Sequence, residues 1–594
     1  IKVDREERPD IDQIYMAALH AFGQQGGWPM TMFLDAHGRP FWGGTYFPKE
    51  ARWGRQGFVD VLLQIARIHA EEPQKVVKNG EAIRRRLEAR TGGRARLGPD
   101  FLDAVAERLL DIADPVEGGV RGAPKFPQCS LLELWWRAGR RRAETGGVEA
   151  VLRTLDRMSR GGIWDHLGGG FARYSVDAQW LVPHFEKMLY DNAQLLDLLG
   201  RAWSVTGEPS FRDRIEGIVD WVSREMTRPE GGFASAIDAD SEHEEGRFYV
   251  WTLDEIRDVL GPETELFAEA YDVRAGGNWE GHTILNRSSD RSRFDRTREA
   301  RLAEGRRRLF ERRASRVRPL TDDKVLADWN GLMIHGLTLA ARRLDRPDWL
   351  ALARRAYDFV RDTMGRGDRL AHAWRDGAVV FPGLSSDLAA MARAATTLYE
   401  TTGEAAFLAD ARRWLAALDR HHADPAGGWF LTADDAEALI VRPASAKDEA
   451  TPNANAVAID TLLRLSVLTG EADLARRAEA ALETFAGAMA EDVFATAALS
   501  NALDLALGLI EVVLVVPPGT DAGPLRRVVF ESVDPRIVLF ETESTDGLSA
   551  DHPAAGKGAV GGLPTAWVCR HGACGLPQTE PAPLRAFLET GRPV

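Results

Sequence analysis

Side chains able to transfer protons are concentrated in one block of the sequence, residues 161–192. Carboxylates and imidazoles are the groups that general acid–base catalysis uses most often. The candidate catalytic residues of this block are Asp165, His166, His184, Glu186 and Asp191. Each of them alone is better explained by a buried structural role, but five ionisable groups in one glycine-rich block favour a site.

The same block supplies candidate substrate-binding side chains. Indole rings can cover the apolar face of a sugar while charged and polar groups bind its hydroxyls. These candidates are Trp164, Arg173, Tyr174, Trp180 and Lys187. Pro183 is expected to begin a helix, which would place His184, Met188 and Asp191 on one helix face.

Two further loops carry acids. Asp238 and Asp240 are candidate catalytic residues, since hydrolysis of a glycosidic bond uses one carboxyl as acid and another to activate water. A solvated turn is the alternative. Asp328, Trp329 and Asn330 combine an acid, an indole and an amide at a predicted helix start, and are further substrate-binding candidates. The alternative for Asp328 is a helix N-cap.

The sequence predicts no metal and no cofactor. Cys569 and Cys574, with His571 between them, do not complete a zinc site, and we expect two reduced cysteines in a β-turn. The acidic loop at Asp238 lacks the ligand order of a calcium-binding EF-hand. The sequence also contains no phosphate-binding loop, no dinucleotide fingerprint after a strand and no nucleophile elbow.

The net charge and the hydropathy limit the classes of partner that this protein is expected to bind. The net charge of −14 argues against a nucleic-acid partner, and no run of 18 apolar residues indicates a membrane span. Three cysteines in 594 residues indicate a reducing compartment. We therefore expect a cytoplasmic protein with a small-molecule ligand, a sugar by preference, and leave its oligomeric state open.

The chain divides into three regions of a mainly α protein. Residues 1–90 are predicted to contain strands at 1–3, 30–34 and 39–47, one helix from Pro9 and another at 58–69. This order of elements is that of the back half of a thioredoxin fold. In that fold the proline before the strand is usually cis, so we expect a cis peptide bond at Pro29. A chain that begins inside a strand is expected to be a fragment whose preceding residues are absent.

Residues 97–510 show helical periodicity interrupted by glycine-rich aromatic loops at roughly regular intervals. This pattern predicts an α/α toroid of about six hairpins, (α/α)6, and an open solenoid of helical repeats is the alternative. Residues 511–594 are predicted to form a small α/β region with three strands that packs on the toroid.

Several motifs resemble those of the thioredoxin-domain-containing spermatogenesis-associated protein 20 family, which has many bacterial members. They lie at residues 3–10, 27–29, 43–48, 124–127, 165–192, 238–242, 329–331 and 568–570. The resemblance implies a thioredoxin-like domain followed by a six-hairpin glycosidase-like toroid, the ring fold of N-acylglucosamine 2-epimerases, without implying a substrate. It also implies an upstream C-x-x-C helix that this chain lacks. Around Asp387 the family tends to have an acidic–aromatic motif of which this sequence keeps only Asp387.

Two functions are compatible with these observations. The first is a carbohydrate-active toroid, with hydrolase-like or epimerase-like acid/base chemistry in its central cavity. Hydrolysis would need two facing carboxyls, and epimerisation a pair of histidines across the cavity. The second is a redox or protein-interaction protein that uses the toroid as a binding platform.

Overall fold

The computed structural model describes residues 1–52, 54–88, 93–290 and 295–590, so the predicted boundary at residue 90 lies outside the described residues. The first region is a small α/β unit. Its elements are α1 (Pro9–Ala21), β1 (Thr31–Leu34), β2 (Pro40–Gly44), α2 (Phe58–Glu71) and α3 (Pro73–Glu88). β1 and β2 pair antiparallel, and the peptide bond between Trp28 and Pro29 is cis, as predicted. From Pro9 onward these elements form a thioredoxin-like unit with a helix added at its end.

The strand predicted at residues 1–3 is wrong. Residues 1–4 form no strand, and Ile1 is fully exposed. The segment instead runs towards the helical region, where Asp4 pairs with Lys324 at 2.9 Å. Ile1 and Val3 are β-branched and have strand propensity, but no strand of the described residues lies beside them to pair with. The ion pair of Asp4 with Lys324 therefore sets the direction of this segment.

The second region consists mainly of helices. In chain order they are α4 (Pro99–Leu110), α5 (Cys129–Arg141), α6 (Gly147–Arg160), α7 (Leu189–Thr206), α8 (Pro209–Trp221), α9 (Leu253–Leu260), α10 (Thr264–Tyr271), α11 (Arg296–Arg313), α12 (Ala327–Leu344), α13 (Pro347–Thr363), α14 (Ser385–Thr402), α15 (Ala405–His422), α16 (Ala454–Thr469), α17 (Ala472–Glu491) and α18 (Ala497–Gly508). Within this described set, α5, α7, α12, α14, α16 and α18 pack side by side, and α18 packs back against α5. This closed inner ring confirms the predicted toroid and excludes the open solenoid.

The outer layer follows the same order. α6, α8, α13, α15 and α17 each pack outside the inner helix before them, and α4 packs against both α5 and α18. The inner helices are buried on nearly all faces. Trp135, Trp136, Trp221 and Trp414 are at most 1% exposed, whereas Trp203 is partly buried.

A repeated asparagine contact joins the glycine-rich loops to the inner ring. In each case an asparagine in the first turn of an inner helix accepts the backbone N–H of the aromatic residue in a loop and donates back to its carbonyl. The pairs are Asn192 with Phe171, Asn330 with Phe233, and Asn455 with Trp429. These three glycine-rich loops therefore occupy equivalent positions around the ring.

Short strands precede several inner helices. They are β3 (Tyr174–Ser175), β4 (Pro183–His184), β5 (Lys187–Met188), β6 (Ala236–Ile237), β7 (Asp240–Ser241), β8 (Glu244–Glu245), β9 (Thr321–Asp322), β10 (Val325–Leu326), β11 (Gly365–Arg366), β12 (Arg369–Leu370), β13 (Ala373–Arg375) and β14 (Ala378–Val380). The helix predicted from Pro183 is therefore wrong, because His184 pairs with Tyr174 and Lys187 with Ile237 before α7 begins at Leu189. His184 and Asp191 consequently do not share a helix face.

The third region covers one end of the ring. It consists of β15 (Ile510–Val515), α19 (Gly523–Glu531), β16 (Ile537–Thr542), β17 (Thr565–Arg570), β18 (Ala573–Cys574) and α20 (Pro581–Thr590). The sheet order is β16-β15-β17-β18, and it contains the three predicted strands. Arg343 and Arg464 of the inner ring donate to backbone carbonyls of Ser532 and Pro535, which fixes this region on the toroid.

The prediction that Cys569 and Cys574 are reduced is wrong. Cys569 and Cys574 lie directly opposite each other in the β17–β18 hairpin, and their sulfurs form a disulfide. The turn is present as predicted, but the two thiols are not reduced, because the hairpin register places them in contact. Across the described residues, no helix is long and apolar enough to cross a membrane.

Candidate functional site

The N-terminal ends of the inner helices surround a cavity of about 130 Å³, which we name the loop-end cavity. Its ring wall is formed by Tyr190 of α7, Asp328 and Trp329 of α12, Ser385 and Ser386 of α14, and Asn453 to Asn455 at the start of α16. Arg5, Glu6 and Asp12 of the thioredoxin-like region also line it. The cavity is thus built jointly by the first two regions of the chain.

An acid–imidazole–acid cluster lies at the wall of this cavity. His372 Nδ1 donates to both oxygens of Asp387 at 3.0 and 3.1 Å, and its Nε2 donates to the backbone carbonyl of Glu6 at 2.7 Å. Asp387 also accepts the backbone N–H groups of Leu384 at 2.6 Å and Asp328 at 3.1 Å. These bonds fix the Asp387 carboxylate, while the carboxyl of Asp328 faces the cavity.

Burial and neighbouring charges set the protonation of this cluster. Burial raises the pKa of Asp328, and the charge of Asp387 raises it further, to about 6 despite the opposing charge of His372. Burial alone would lower the pKa of His372, but the charge and hydrogen bond of Asp387 outweigh it and raise this pKa to about 10. At neutral pH the cluster therefore holds an imidazolium beside a carboxyl that gains and loses a proton near pH 6.

The cluster has the residue types of a metal site, and the ligand atoms of Asp328, His372 and Asp387 lie within 4.8 Å of one another. Both ring nitrogens of His372 are hydrogen-bond donors, however, to Asp387 and to Glu6. A metal needs an unprotonated imidazole nitrogen. The hydrogen bonds therefore do not fit metal coordination by this histidine.

A second group of polar side chains lies next to the cavity, at the start of α7. The Tyr190 hydroxyl and Asp191 Oδ2 are buried and have no hydrogen-bond partner among the described residues. Burial raises the pKa of Asp191 well above its usual range, although the charge of Arg173 opposes this. Arg173 itself pairs with Glu186 at 2.8 Å. Asp191 thus lies close enough to Arg173 and Glu186 for both charges to act on its carboxyl.

Aromatic surfaces complete the cavity. The indole of Trp329 meets the ring of Tyr190 edge-on at 4.7 Å, and Trp429 lies on the wall towards α16. Each is less than a tenth exposed, so both are held rigidly. Of the tryptophans proposed from the sequence as substrate-binding residues, Trp329 lies at the cavity.

Other predicted site residues lie in a buried ionic cluster away from this cavity. Asp165 pairs with Lys187 at 2.8 Å and with Arg313 at 2.8 Å. Burial opposes the ionisation of Asp165, but the Arg313 and Lys187 charges hold its pKa well below the usual range. His166 Nε2 bonds the carbonyl of Gly161, and burial with the charge of Arg214 lowers its pKa well below normal. This cluster joins α11 to the ring.

The remaining predicted residues are also engaged elsewhere. Trp164 packs on Phe171 in the core, and the Trp180 indole N–H donates to the Glu117 carbonyl. Tyr174 stacks between Phe126 and His184, and His184 Nδ1 bonds Glu245 at 2.7 Å. Asn330 is fully buried in the loop contact already described. Asp238 and Asp240 are exposed at the surface, as a solvated turn would be. The two histidines His166 and His184 therefore do not face each other across the loop-end cavity.

His372 is not among the residues predicted from the sequence, and Asp387 appears there only as the remnant of a family motif. His372 lies between two short strands, β12 and β13, and Asp387 in the first turn of α14. They meet because β12 packs against α14, and the Gly383 N–H just before that helix donates to the Leu370 carbonyl of β12. The sequence signal available was the repeated position: an acid occurs in the first turn of α7, α12 and α14 alike.

A thioredoxin-like unit joined to a closed (α/α)6 ring, with an acid–imidazolium pair at their junction, defines a two-part α/α-toroid protein. The family model Thioredox_DsbH (protein of unknown function, DUF255) matches residues 1–88. Spermatogenesis-associated protein 20 of Homo sapiens is 32% identical over 649 residues, which cover 99% of this chain and 82% of the relative. The chain belongs to the spermatogenesis-associated protein 20 family.

Further similarities extend over much of the chain. An uncharacterized protein of Caenorhabditis elegans is 28% identical over 626 residues, covering 97% of this chain and 86% of the relative. Among solved structures, an unsaturated glucuronyl hydrolase specific for heparin matches 69% of this chain and 96% of its own, with 14% identity and a TM-score of 0.41. A D-mannose isomerase matches 65% of this chain and 86% of its own, with 10% identity and a TM-score of 0.43.

Proposed function

We propose that the loop-end cavity is the active site of a carbohydrate-active enzyme that works by acid/base catalysis. The observation that carries the proposal is the Asp328 carboxyl, which faces the cavity with a pKa raised to about 6 beside the imidazolium of His372. A catalytic acid or base works best when its pKa lies near the working pH. Asp328 is thus the proton-transferring group, and His372 and Asp387 are positioning residues.

The surroundings of Asp328 favour a hydroxylated substrate. Trp329 and Trp429 offer rigid apolar faces, and Ser386 and Lys447 place polar side chains at the same wall. Sugars are bound by this combination of ring stacking and polar contacts to hydroxyls. Two reactions would use Asp328 in this way. In hydrolysis Asp328 would protonate a glycosidic oxygen, and in epimerisation it would remove and return a proton on a sugar carbon.

Asp191 is the second carboxyl in this proposal. It lies one residue from the cavity-lining Tyr190, and burial raises its pKa well above the usual range. A carboxyl whose neutral form is favoured by burial can donate a hydrogen bond to a substrate oxygen. Asp328 and Asp191 therefore have different roles because their surroundings differ.

The test is a ligand screen followed by one substitution. Neutral sugars, amino sugars and disaccharides are screened by thermal shift, and compounds that stabilise the protein are assayed for turnover. Asp328→Asn is expected to keep ligand binding and to lower turnover by about a hundredfold or more, the usual contribution of a general acid or base. Asp473→Asn, on the exposed face of α17, is the matched control and is expected to behave as the wild type.

Two results would contradict the proposal. One is equal turnover by wild type and Asp328→Asn. The other is a screen in which no carbohydrate stabilises the protein, which would favour the toroid as a binding platform for a protein partner.

A further inference from the structure

A second cavity runs along the axis of the ring, between the loop-end cavity and the third region of the chain. This axial cavity has a volume of about 220 Å³ and is lined by all six helices of the described inner ring. Val529, Ser532 and Ile537 of the third region close its far end. It meets the loop-end cavity near Pro452, which lines both.

The wall of the axial cavity is strongly charged, and most of its acids are shared between two arginines. Glu133 lies between Arg137 and Arg201, both of which bond it. Asp197 bonds Arg201 and Arg343 in the same way, and Asp460 bonds Arg393 and Arg464. These carboxylates are saturated by guanidinium donors, so they leave no acid for a further cation.

One arginine of this wall has no polar partner. The Arg342 side chain, in the last turn of α12, forms no hydrogen bond and no ion pair with any residue among 1–52, 54–88, 93–290 and 295–590, and its Nε is buried. Its guanidinium lies over the Phe530 ring at 5.1 Å. Burial lowers the pKa of Arg342 to about 10, and the nearby charge of Glu400 only partly offsets this. A guanidinium kept in a cavity without a partner carries a free energy cost that a ligand can remove.

We propose that the axial cavity binds a small organic oxyanion, a carboxylate or a phosphate ester that also carries hydroxyl groups. Arg342 provides the two-pronged donor that planar carboxylates and phosphates fit. Glu400 lines the same cavity and, in the described part of the chain, has no hydrogen-bond or ion-pair partner, so it can accept a ligand hydroxyl. The site is separate from Asp328 and does not depend on the function proposed for the loop-end cavity.

The chemical class follows from size and charge. About 220 Å³ accommodates a single small molecule rather than an oligosaccharide or a peptide. A neutral sugar would leave Arg342 without a counter-charge, and a cation would face six arginines of the lining. A hydroxylated acid or phosphate ester satisfies both Arg342 and Glu400.

The experiment is isothermal titration of the full chain with gluconate and glucose 6-phosphate, with glucose as the neutral counterpart. At least one of the two oxyanions is expected to bind, and glucose is expected to bind this site at least tenfold more weakly, about 1.4 kcal/mol. Which oxyanion binds more tightly identifies the carboxylate or the phosphate as the natural group. Absence of binding by both would overturn the proposal, as would equal binding of glucose.

Variants locate the site. Arg342→Gln is expected to weaken oxyanion binding at least tenfold, whereas Arg108→Gln, on the exposed face of α4, and Asp328→Asn leave it unchanged. Because Arg342 has no polar partner, Arg342→Gln should unfold at the same temperature as the wild type or higher. If it does not fold, Arg342→Lys keeps the charge and should still weaken binding through loss of the fork geometry. Unchanged binding in the folded Arg342 variant, or loss in Asp328→Asn, would overturn the proposal.

Discussion

At the scale of single residues, the candidate site depends on one arrangement of charges. His372 donates to Asp387 and to the Glu6 carbonyl, and this makes it a permanent cation near neutral pH. Asp387 in turn acts on Asp328 by like charge and raises the Asp328 pKa to about 6. The reactivity of Asp328 is therefore produced by two residues that need not touch a substrate.

The raised pKa of His372 predicts a pH-dependent stability. A histidine with a folded pKa of about 10 and an ordinary value of 6.5 stabilises the fold fully below pH 6.5 and loses this as pH rises through 10. Between about pH 7 and 9.5 the wild type should lose about 3 kcal/mol that His372→Gln does not lose. Urea unfolding midpoints at the two pH values measure it.

The control is His243→Gln, at an exposed position in the same toroid region. It should show the same loss of stability with pH as the wild type. Parallel pH dependence of the wild type and His372→Gln would mean that His372 is not charged in the folded protein.

At the scale of elements, asparagines fasten the glycine-rich loops to the inner helices. Asn330 is fully buried, accepts the Phe233 N–H and donates to the carbonyls of Phe233 and Leu326. No side chain other than an amide offers one acceptor and two donors in this small volume. The loops carry backbone that would otherwise be buried without partners, so their attachment is a condition for closing the ring.

Replacement of Asn330 tests this attachment. Asn330→Ala leaves the buried Phe233 N–H and carbonyl without their partner and should destabilise the ring by about 2–4 kcal/mol. A lowered urea midpoint, followed by circular dichroism, measures the effect. Asn79→Ala, exposed on α3, serves as the control and should change stability by less than about 0.5 kcal/mol. A midpoint for Asn330→Ala equal to that of Asn79→Ala would show that the contact is dispensable.

The sequence was informative about elements whose apolar pattern decides their structure. Helical periodicity and recurring glycine-rich loops predicted the ring, because each hairpin must bury a wide apolar face. The sequence pattern was misleading at Pro183, because a proline can begin a helix and can also lie in a short strand. Pro183 suits a helix start, yet its neighbour His184 pairs with Tyr174, a contact distant in space that local propensity does not encode.

The candidate site was predictable only in part for a related reason. Asp191, Asp328 and Trp329 stand out because they occupy first turns of helices. His372 does not, since its role arises from the packing of β12 against α14 and from Glu6, more than 360 residues away in sequence. Conversely, Asp165 and Lys187 stood out as ionisable residues, but their mutual ion pair satisfies them.

At the scale of the whole molecule, the thioredoxin-like region is a wall of the site and not a separate appendage. Lys324 bonds Asp4 at 2.9 Å, His372 bonds the Glu6 carbonyl, and Arg8 pairs with Glu437 at 2.8 Å. Movement of this region would expose the cavity and release one of the two partners of His372. The position of the first region therefore affects the charge of His372, because it determines whether this histidine keeps its hydrogen bond to Glu6.

Weakening this junction should act locally. Lys324→Met removes the ion pairs to Asp4 and Asp322 and should increase hydrogen–deuterium exchange in α1 while leaving the inner helices protected. Arg212→Met, which removes an exposed ion pair to Glu216 on α8, is the control and should leave exchange in α1 as in the wild type. Unchanged exchange of α1 in Lys324→Met would show that the junction does not depend on this pair.

Titration of Asp328 itself shows whether the loop-end cavity holds a proton-transferring carboxyl. Infrared difference spectra of the wild type minus Asp328→Asn, recorded against pH, report the protonated carboxyl of this residue alone. We expect a titration midpoint near pH 6, the value to which burial and the charge of Asp387 raise the pKa of Asp328. A midpoint at or below 3.8, the ordinary value of an aspartate, would contradict it.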